Sequence, residues 1–133
     1  MKYLLDTNVC IRYLNDSSKL LIRKFETLPP LDIALCAIVE AELFYGAMKS
    51  KNSVQTLAKQ HGFLQPYKSL PFDSTAASHC GRVRVYLENQ RTPIDPYDLM
   101  IAAIALTHDL ILVTHDQHFS RVPGLQIEDW EAL

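Results

Sequence analysis

Short apolar runs alternate along this chain with longer segments in which apolar residues recur at helical spacing. Tyr3 to Leu5, Ile33 to Cys36 and Leu110 to Thr114 are predicted to be buried strands. Two weaker runs, Leu70 to Phe72 and Leu125 to Glu128, are predicted to add further strands. Strands that alternate with helices are typical of an α/β fold with a mainly parallel sheet and helices on both faces.

Capping residues and prolines delimit the helices that this pattern predicts. Ser17-Ser18 begins a helix through about Leu28 that Pro29-Pro30 ends, and Asp73 caps a helix from Thr75 to Asn89. The other predicted helices are Val9 to Leu14, Ala37 to Met48, Asn52 to Gly62, and Pro96 to Thr107. In a sheet of this kind the ligand site lies beyond the carboxyl ends of the strands.

Length and composition predict a single domain over residues 1–133. The chain is 48% hydrophobic, enough for one core, and no apolar run approaches the ~18 residues of a membrane span. The cysteines, Cys10, Cys36 and Cys80, are odd in number and far apart, which argues against a disulfide framework and favours a reducing, cytoplasmic setting. A formal net charge of -2 means that any binding of nucleic acid depends on local basic surface.

Four carboxylates on separate predicted elements reach the same end of the sheet. Asp6 ends the first strand, and Asp116 follows the strand that ends at Thr114. Asp98 lies in the first turn of the helix that precedes this strand, and Glu42 lies mid-helix on an otherwise apolar face. Such a cluster repels itself unless a cation is bound, and Mg²⁺ prefers oxygen ligands. The pattern therefore predicts metal-assisted phosphoryl chemistry.

Each of these acidic residues also has a simpler interpretation. Asp6 and Asp98 are suitable for helix caps and Asp116 for a turn, and Glu42 could be a partly exposed or an ion-paired side chain. Asp95 precedes a proline at the first helical position and is predicted to be a helix cap.

Two other enzyme classes gather acidic residues at strand ends, but the chain lacks their patterns. A phosphoacceptor receiver domain needs an Asp at the end of a central strand, and the strand Ile33 to Cys36 ends without one. A phosphatase of the haloacid dehalogenase type needs a second Asp two residues after the first, where this chain has Asn8.

Six blocks, in order along almost the whole chain, resemble the PIN-domain ribonucleases and, more narrowly, the VapC toxins of bacterial VapBC toxin-antitoxin pairs. The blocks are Met1 to Val9, Glu42 to Ala47, Pro93 to Ala103, Leu112 to Asp116, Phe119 to Leu125, and Glu128 to Trp130. The resemblance implies a PIN-like three-layer α/β/α sandwich that cleaves RNA as an endoribonuclease with Mg²⁺ or Mn²⁺. It also implies a homodimer that a cognate VapB-type antitoxin holds inactive.

Carried onto this sequence, the resemblance assigns catalysis to Asp6, Glu42, Asp98 and Asp116, with Asp6 and Asp98 as metal ligands. The chain departs from many relatives after Thr114: they have Asn-Asn or Asn-Thr and then an acidic residue, whereas this chain has His-Asp-Gln-His. Asp116 fits a variant of that block. The alternative is a PIN-like protein that does not catalyse and acts through dimer and antitoxin binding.

Several other residues are predicted to support this site. Thr7, Asn8 and Thr114 can donate hydrogen bonds to the carboxylates or to a substrate phosphate. His115 and His118 flank Asp116 and are expected to be simple hydrogen-bond partners of a carboxylate. The arginines considered for RNA binding are Arg12, Arg82, Arg84 and Arg91.

Overall fold

Five parallel strands form one central sheet in the computed structural model, which describes residues 1–132. The strands are β1 (Tyr3–Leu5), β2 (Ile33–Cys36), β3 (Lys68–Leu70), β4 (Ile111–Val113) and β5 (Ile127–Glu128). They lie in the order β3-β2-β1-β4-β5, and every adjacent pair is parallel. This arrangement confirms the predicted α/β class with a parallel sheet.

Six α-helices cover the two faces of this sheet in the described part of the chain. They are α1 (Thr7–Leu14), α2 (Lys19–Glu26), α3 (Ala37–Lys49), α4 (Ser53–Leu64), α5 (Ser74–Asn89) and α6 (Pro96–Thr107). Connections between parallel strands are right-handed, so α1 to α4 lie on one face and α5 and α6 on the other. The result is the three-layer α/β/α sandwich that the resemblance implies.

The strand order places a crevice beyond the carboxyl ends of the neighbouring strands β1 and β4. From β1 the chain proceeds to β2 and β3 on one side, and it then crosses to β4 on the other side of β1. Leu5 pairs with Val113, and the backbone N–H of Asp6 donates to the carbonyl of Val113 over 3.0 Å. Asp6 and Thr114 therefore leave the sheet side by side, at the point where ligands bind in folds of this type.

Local caps set the helix starts that the sequence predicts. The Asp73 carboxylate accepts a hydrogen bond from the backbone N–H of Ala76 over 2.9 Å, and Ser18 accepts one from Leu21. The Asp95 carboxylate accepts one from the N–H of Tyr97 over 2.8 Å, which confirms its capping role.

Some boundaries differ from the prediction. Helix α1 begins at Thr7, before the predicted Val9, because Asp6 caps it. Strand β3 is Lys68–Leu70, so the predicted strand Leu70 to Phe72 is wrong. As an edge strand, β3 pairs only with β2, and its first two residues are exposed. An apolar run in the sequence therefore does not mark its position. Helix α2 ends at Glu26, before Leu28, and β5 is limited to two residues.

The core includes the central strands and most of α6. Cys10 and Cys36 are buried, whereas Cys80 is only half-buried, and all three are free thiols. A search of residues 1–132 for a helix with the length and hydrophobicity of a membrane span finds none.

Candidate metal-dependent active site

Asp6 is a buried carboxylate at the centre of the site. Its Oδ1 accepts a hydrogen bond from the backbone N–H of Thr7 over 2.8 Å, and its Oδ2 accepts one from the Thr114 hydroxyl over 2.9 Å. Burial raises the pKa of Asp6 above its usual range, these two hydrogen bonds oppose the rise, and the charges of Glu42 and Asp116 add to it. Asp6 therefore caps α1, and its second carboxylate oxygen is held by Thr114 at the carboxyl ends of the central strands, so the cap does not exclude a functional role.

Glu42 approaches Asp6 from helix α3. The Thr7 hydroxyl donates to Oε1 of Glu42 over 2.6 Å, a short hydrogen bond to a charged acceptor. Thr7 thus links two acidic residues, because its backbone N–H binds Asp6 while its side chain binds Glu42. Glu42 is partly buried and makes no ion pair among the described residues, so the ion-paired interpretation of this residue is wrong, whereas a partly exposed side chain agrees with the structure.

Asp98 and Asp116 are joined by one histidine. His118 Nε2 lies 3.0 Å from Oδ2 of Asp98, and His118 Nδ1 lies 2.7 Å from Oδ1 of Asp116. Asp98 belongs to the first turn of α6, whereas Asp116 caps the short 3-10 helix Gln117–Arg121 that follows β4. Burial raises the pKa of Asp98 to about 6; the charge of Asp6 adds to this rise, and His118 opposes it.

The predicted supporting residues divide into two groups. Thr7 and Thr114 make the hydrogen bonds to carboxylates that the sequence suggested. Asn8 is exposed and lines cavities with Asp6 and with Glu42, and its side chain makes no hydrogen bond to a carboxylate in residues 1–132. The expected hydrogen bond between His118 and a carboxylate is confirmed, but the sequence did not reveal that the ring contacts two carboxylates, because its reach to Asp98 depends on how α6 packs.

A second polar cluster lies at the edge of the site. His115 Nδ1 is 2.7 Å from Oδ2 of Asp129, and ligand atoms of His115, Asp129 and Glu131 lie within 4.8 Å of one another. The Arg12 guanidinium binds both oxygens of Glu131 through Nε, at 2.7 and 2.9 Å. Because Arg12 already neutralises Glu131, this cluster has its own counter-charge.

The four arginines considered for RNA binding occupy different surroundings. Arg12 lines a cavity of about 550 Å³ that also contains Asp6 and Asp116. Arg84 forms an exposed pair with Glu88 at 3.3 Å, one helical turn away, and Arg82 contacts His79. Arg91 is exposed and adopts a left-handed backbone conformation, with φ 59°, just after α5.

The donor set of the site fits a hard divalent cation. Its four acidic residues offer only carboxylate oxygens, and two of them, Asp6 and Asp98, have raised pKa values that a bound cation would counter. Within residues 1–132, no three of these four carboxylates bring oxygens within 4.8 Å of one another. Mg²⁺ usually binds one or two carboxylates and keeps several waters, so the separation of these carboxylates does not exclude it.

Comparisons with known proteins give the same fold and a chemistry compatible with this site. The PIN domain family model matches residues 3–125. The chain is 37% identical over 131 residues to the tRNA(fMet)-specific endonuclease VapC of Salmonella typhimurium, with 98% of each chain covered. It is 35% identical over 133 residues to Ribonuclease VapC2 of Rickettsia felis, and the alignment covers 98% of this chain and 99% of the relative.

Solved structures of toxin-antitoxin complexes are similar over the full chain. The DNA-bound VapBC of Salmonella typhimurium matches with a TM-score of 0.92 and 37% identity, covering 98% of both chains. VapBC2 of Rickettsia felis, bound to a DNA fragment from its promoter, matches with a TM-score of 0.91 and 34% identity, covering 98% of this chain and 99% of that one.

Proposed function

This chain belongs to the PIN domain family, and on that premise we propose that Asp6, Glu42, Asp98 and Asp116 form its catalytic centre. The protein is a metal-dependent endoribonuclease of the VapC type, the toxin component of a VapBC-type pair. The assignment is supported by the contacts through Thr7, Thr114 and His118 that connect all four acidic residues beyond the ends of β1 and β4. The alternative, a PIN-like protein that only binds partners, is not favoured, because the full-length relatives are named for nuclease activity.

Asp6 and Asp98 are the residues that we assign to a divalent cation, Mg²⁺ or Mn²⁺. When bound, the ion supplies positive charge that stabilises the negative charge developing on the phosphoryl and leaving oxygens. The carboxylates would hold the cation and orient it relative to the RNA phosphate. Thr114 keeps Asp6 in place, and Thr7 keeps Glu42 in place, through the hydrogen bonds described above.

Asp116 is more open to solvent than Asp98. Its side chain is 44% exposed, compared with 23% for that of Asp98. We assign Asp116 to the outer part of the centre, where it orients the attacking water or accepts its proton.

The partners follow from the VapBC complexes. A cognate VapB-type antitoxin binds the protein, and RNA is its substrate. We further propose a homodimer, as the resemblance implies, and tRNA as the first substrate class to test. The Salmonella relative is named for specificity toward tRNA(fMet), so the initiator tRNA is the first candidate.

The test compares two neighbouring aspartates in a cleavage assay. Antitoxin-free protein is incubated with initiator tRNA and with a generic single-stranded RNA, with Mg²⁺, Mn²⁺ or EDTA. We expect Asp98→Asn and EDTA each to abolish cleavage. Asp95→Asn removes the same charge three residues away but keeps the helix cap, and it is expected to retain activity.

The outcome separates the proposal from its rivals. Cleavage by Asp98→Asn at the wild-type rate would contradict the catalytic assignment. Cleavage that persists in EDTA would contradict the metal requirement. Loss of activity in both aspartate variants would point to the stability of α6 instead of to the carboxylate of Asp98.

A further inference from the structure

His118 is the side chain that physically connects Asp98 to Asp116. Its two ring nitrogens contact one oxygen of each carboxylate, at 3.0 and 2.7 Å. The two acidic residues belong to separate elements, the start of α6 and the 3-10 helix after β4. The ring therefore sets the distance between the carboxylates of Asp98 and Asp116, which neither element determines by itself.

The backbone around His118 is itself held in place. The N–H of His118 donates to Oδ1 of Asp116 over 3.1 Å, and the N–H of Asp116 donates to the Thr114 hydroxyl over 3.0 Å. That hydroxyl in turn donates to Asp6. A continuous hydrogen-bonded path therefore runs from Asp6 through Thr114 and Asp116 to His118, and from there to Asp98.

Packing orients the ring as well. Phe119, the next residue, is completely buried, and its ring centroid lies 4.7 Å from that of His118. The His118 side chain is 24% exposed. By contrast His115, three residues earlier, has a side chain that is 69% exposed and contacts Asp129 instead of any of the four acidic residues.

We infer that His118 is a positioning residue: it ties Asp98 to Asp116 so that the remaining oxygen of Asp98 faces the cation, and it thereby strengthens divalent-cation binding. This inference rests on the function proposed above. His118 uses Oδ2 of Asp98 and Oδ1 of Asp116, so one oxygen of each carboxylate stays available. Outer partners of this kind typically change metal affinity by about 10- to 100-fold when they are removed.

The experiment measures Mn²⁺ binding without RNA, by electron paramagnetic resonance of the free ion, on the full chain. The variants are His118→Ala, His118→Gln and His118→Asn, with His115→Ala as the matched control on the same loop. The amide nitrogen of Gln lies near the position of Nε2 and can keep the contact with Asp98. The amide nitrogen of Asn lies near that of Nδ1 and can keep the contact with Asp116.

We expect His118→Ala to weaken Mn²⁺ binding about 10-fold or more. The Gln and Asn variants should each recover part of the loss, and His115→Ala should stay within about twofold of wild type. The concentration of Mn²⁺ that gives half-maximal RNA cleavage should change by the same factors. If His118→Ala fails to fold, the Gln and Asn variants decide, because each must bind Mn²⁺ more weakly than wild type.

Unchanged Mn²⁺ affinity in the His118 variants would overturn the inference while leaving the proposed function intact. Tighter binding would also overturn it, since the ring would then be a competitor of the cation. If the wild-type protein neither binds Mn²⁺ nor cleaves RNA, the proposed function fails together with the inference.

Discussion

Asp6 and Asp98 show how single residues are adapted to their environment. Both are aspartates near helix starts, a common position for a capping side chain, yet both have raised pKa values because they are buried among other acidic groups. Burying a charged carboxylate costs free energy, and a side chain that only caps a helix at the surface does not carry this penalty. The energetic penalty therefore distinguishes these two residues from Asp95, which is exposed and caps α6.

The first prediction concerns Asp98 and pH. Its folded-state pKa of about 6 lies above the reference value of 3.8, so the folded protein binds more protons between these values. The contribution of Asp98 to the free energy of unfolding thus falls as pH rises through that window. Without divalent metal, Asp98→Asn should raise the free energy of unfolding at pH 7 by about 1–3 kcal/mol, and the gain should vanish near pH 4.

Urea denaturation of both proteins in EDTA at several pH values measures this difference. Asn keeps an oxygen that can accept from His118, so the comparison isolates the charge. A variant less stable than wild type at pH 7 would show that ionised Asp98 is stabilising in the fold.

The second prediction concerns the hydroxyl of Thr7. Thr7→Val removes the donor that binds Glu42 at 2.6 Å, with little change in shape, whereas Thr7→Ser keeps it. We expect Thr7→Val to raise the Mn²⁺ concentration for half-maximal RNA cleavage about 10-fold, since Glu42 loses its fixed orientation. A Mn²⁺ titration of cleavage measures this, and equal behaviour of the Val and Ser variants would exclude the role of the hydroxyl.

At the scale of elements, the start of α6 presents Asp98 to the site. Asp95 caps this helix and Pro96 occupies its first position, so the helix begins at a defined residue. The body of α6 is buried from Ile101 to Ala105, which anchors the helix in the core. The local cap and the core contacts together determine where the carboxylate of Asp98 lies.

The third prediction tests this cap. Asp95→Ala should lower the free energy of unfolding by about 1 kcal/mol, because the N–H of Tyr97 loses its acceptor. Asp95→Asn should cost much less, since Asn caps helices as well as Asp. Thermal or chemical denaturation checks both variants, and equal loss in both would assign the effect to the charge of Asp95.

At the scale of the whole molecule, the net charge of -2 opposes the approach of RNA to an acidic centre. Local cations must offset this repulsion. Arg12 shares a cavity with Asp6 and Asp116, whereas Arg84 lines a separate cavity with Pro93 and Leu99. The two arginines thus provide a comparison between a cation beside the centre and one that lines another cavity.

The fourth prediction follows from this placement. Arg12→Gln should raise KM for RNA several-fold with little change in kcat; because Arg12 also pairs with Glu131, it should reduce the salt dependence of binding by less than about one counterion. Arg84→Gln should leave both quantities near wild type. Steady-state cleavage at several salt concentrations gives the answer, and a larger effect from Arg84 would place the RNA path along α5 instead.

The sequence by itself determined β1, β2 and the capping residues, and it indicated the four acidic residues that we propose for the site. Central strands of a parallel sheet are buried on both faces, and caps bind N–H groups a few residues away, so both leave local patterns. Strand β3 begins two residues before the predicted position, because an edge strand needs no apolar run in the sequence. Tertiary structure alone decided the contacts that join the site, such as Thr114 to Asp6, 108 residues apart, and His118 to Asp98, 20 residues apart. These contacts depend on the strand order and on the packing of α6, which bring residues that are distant in sequence within hydrogen-bonding distance. No local sequence pattern predicts such contacts, because neither partner is near the other along the chain.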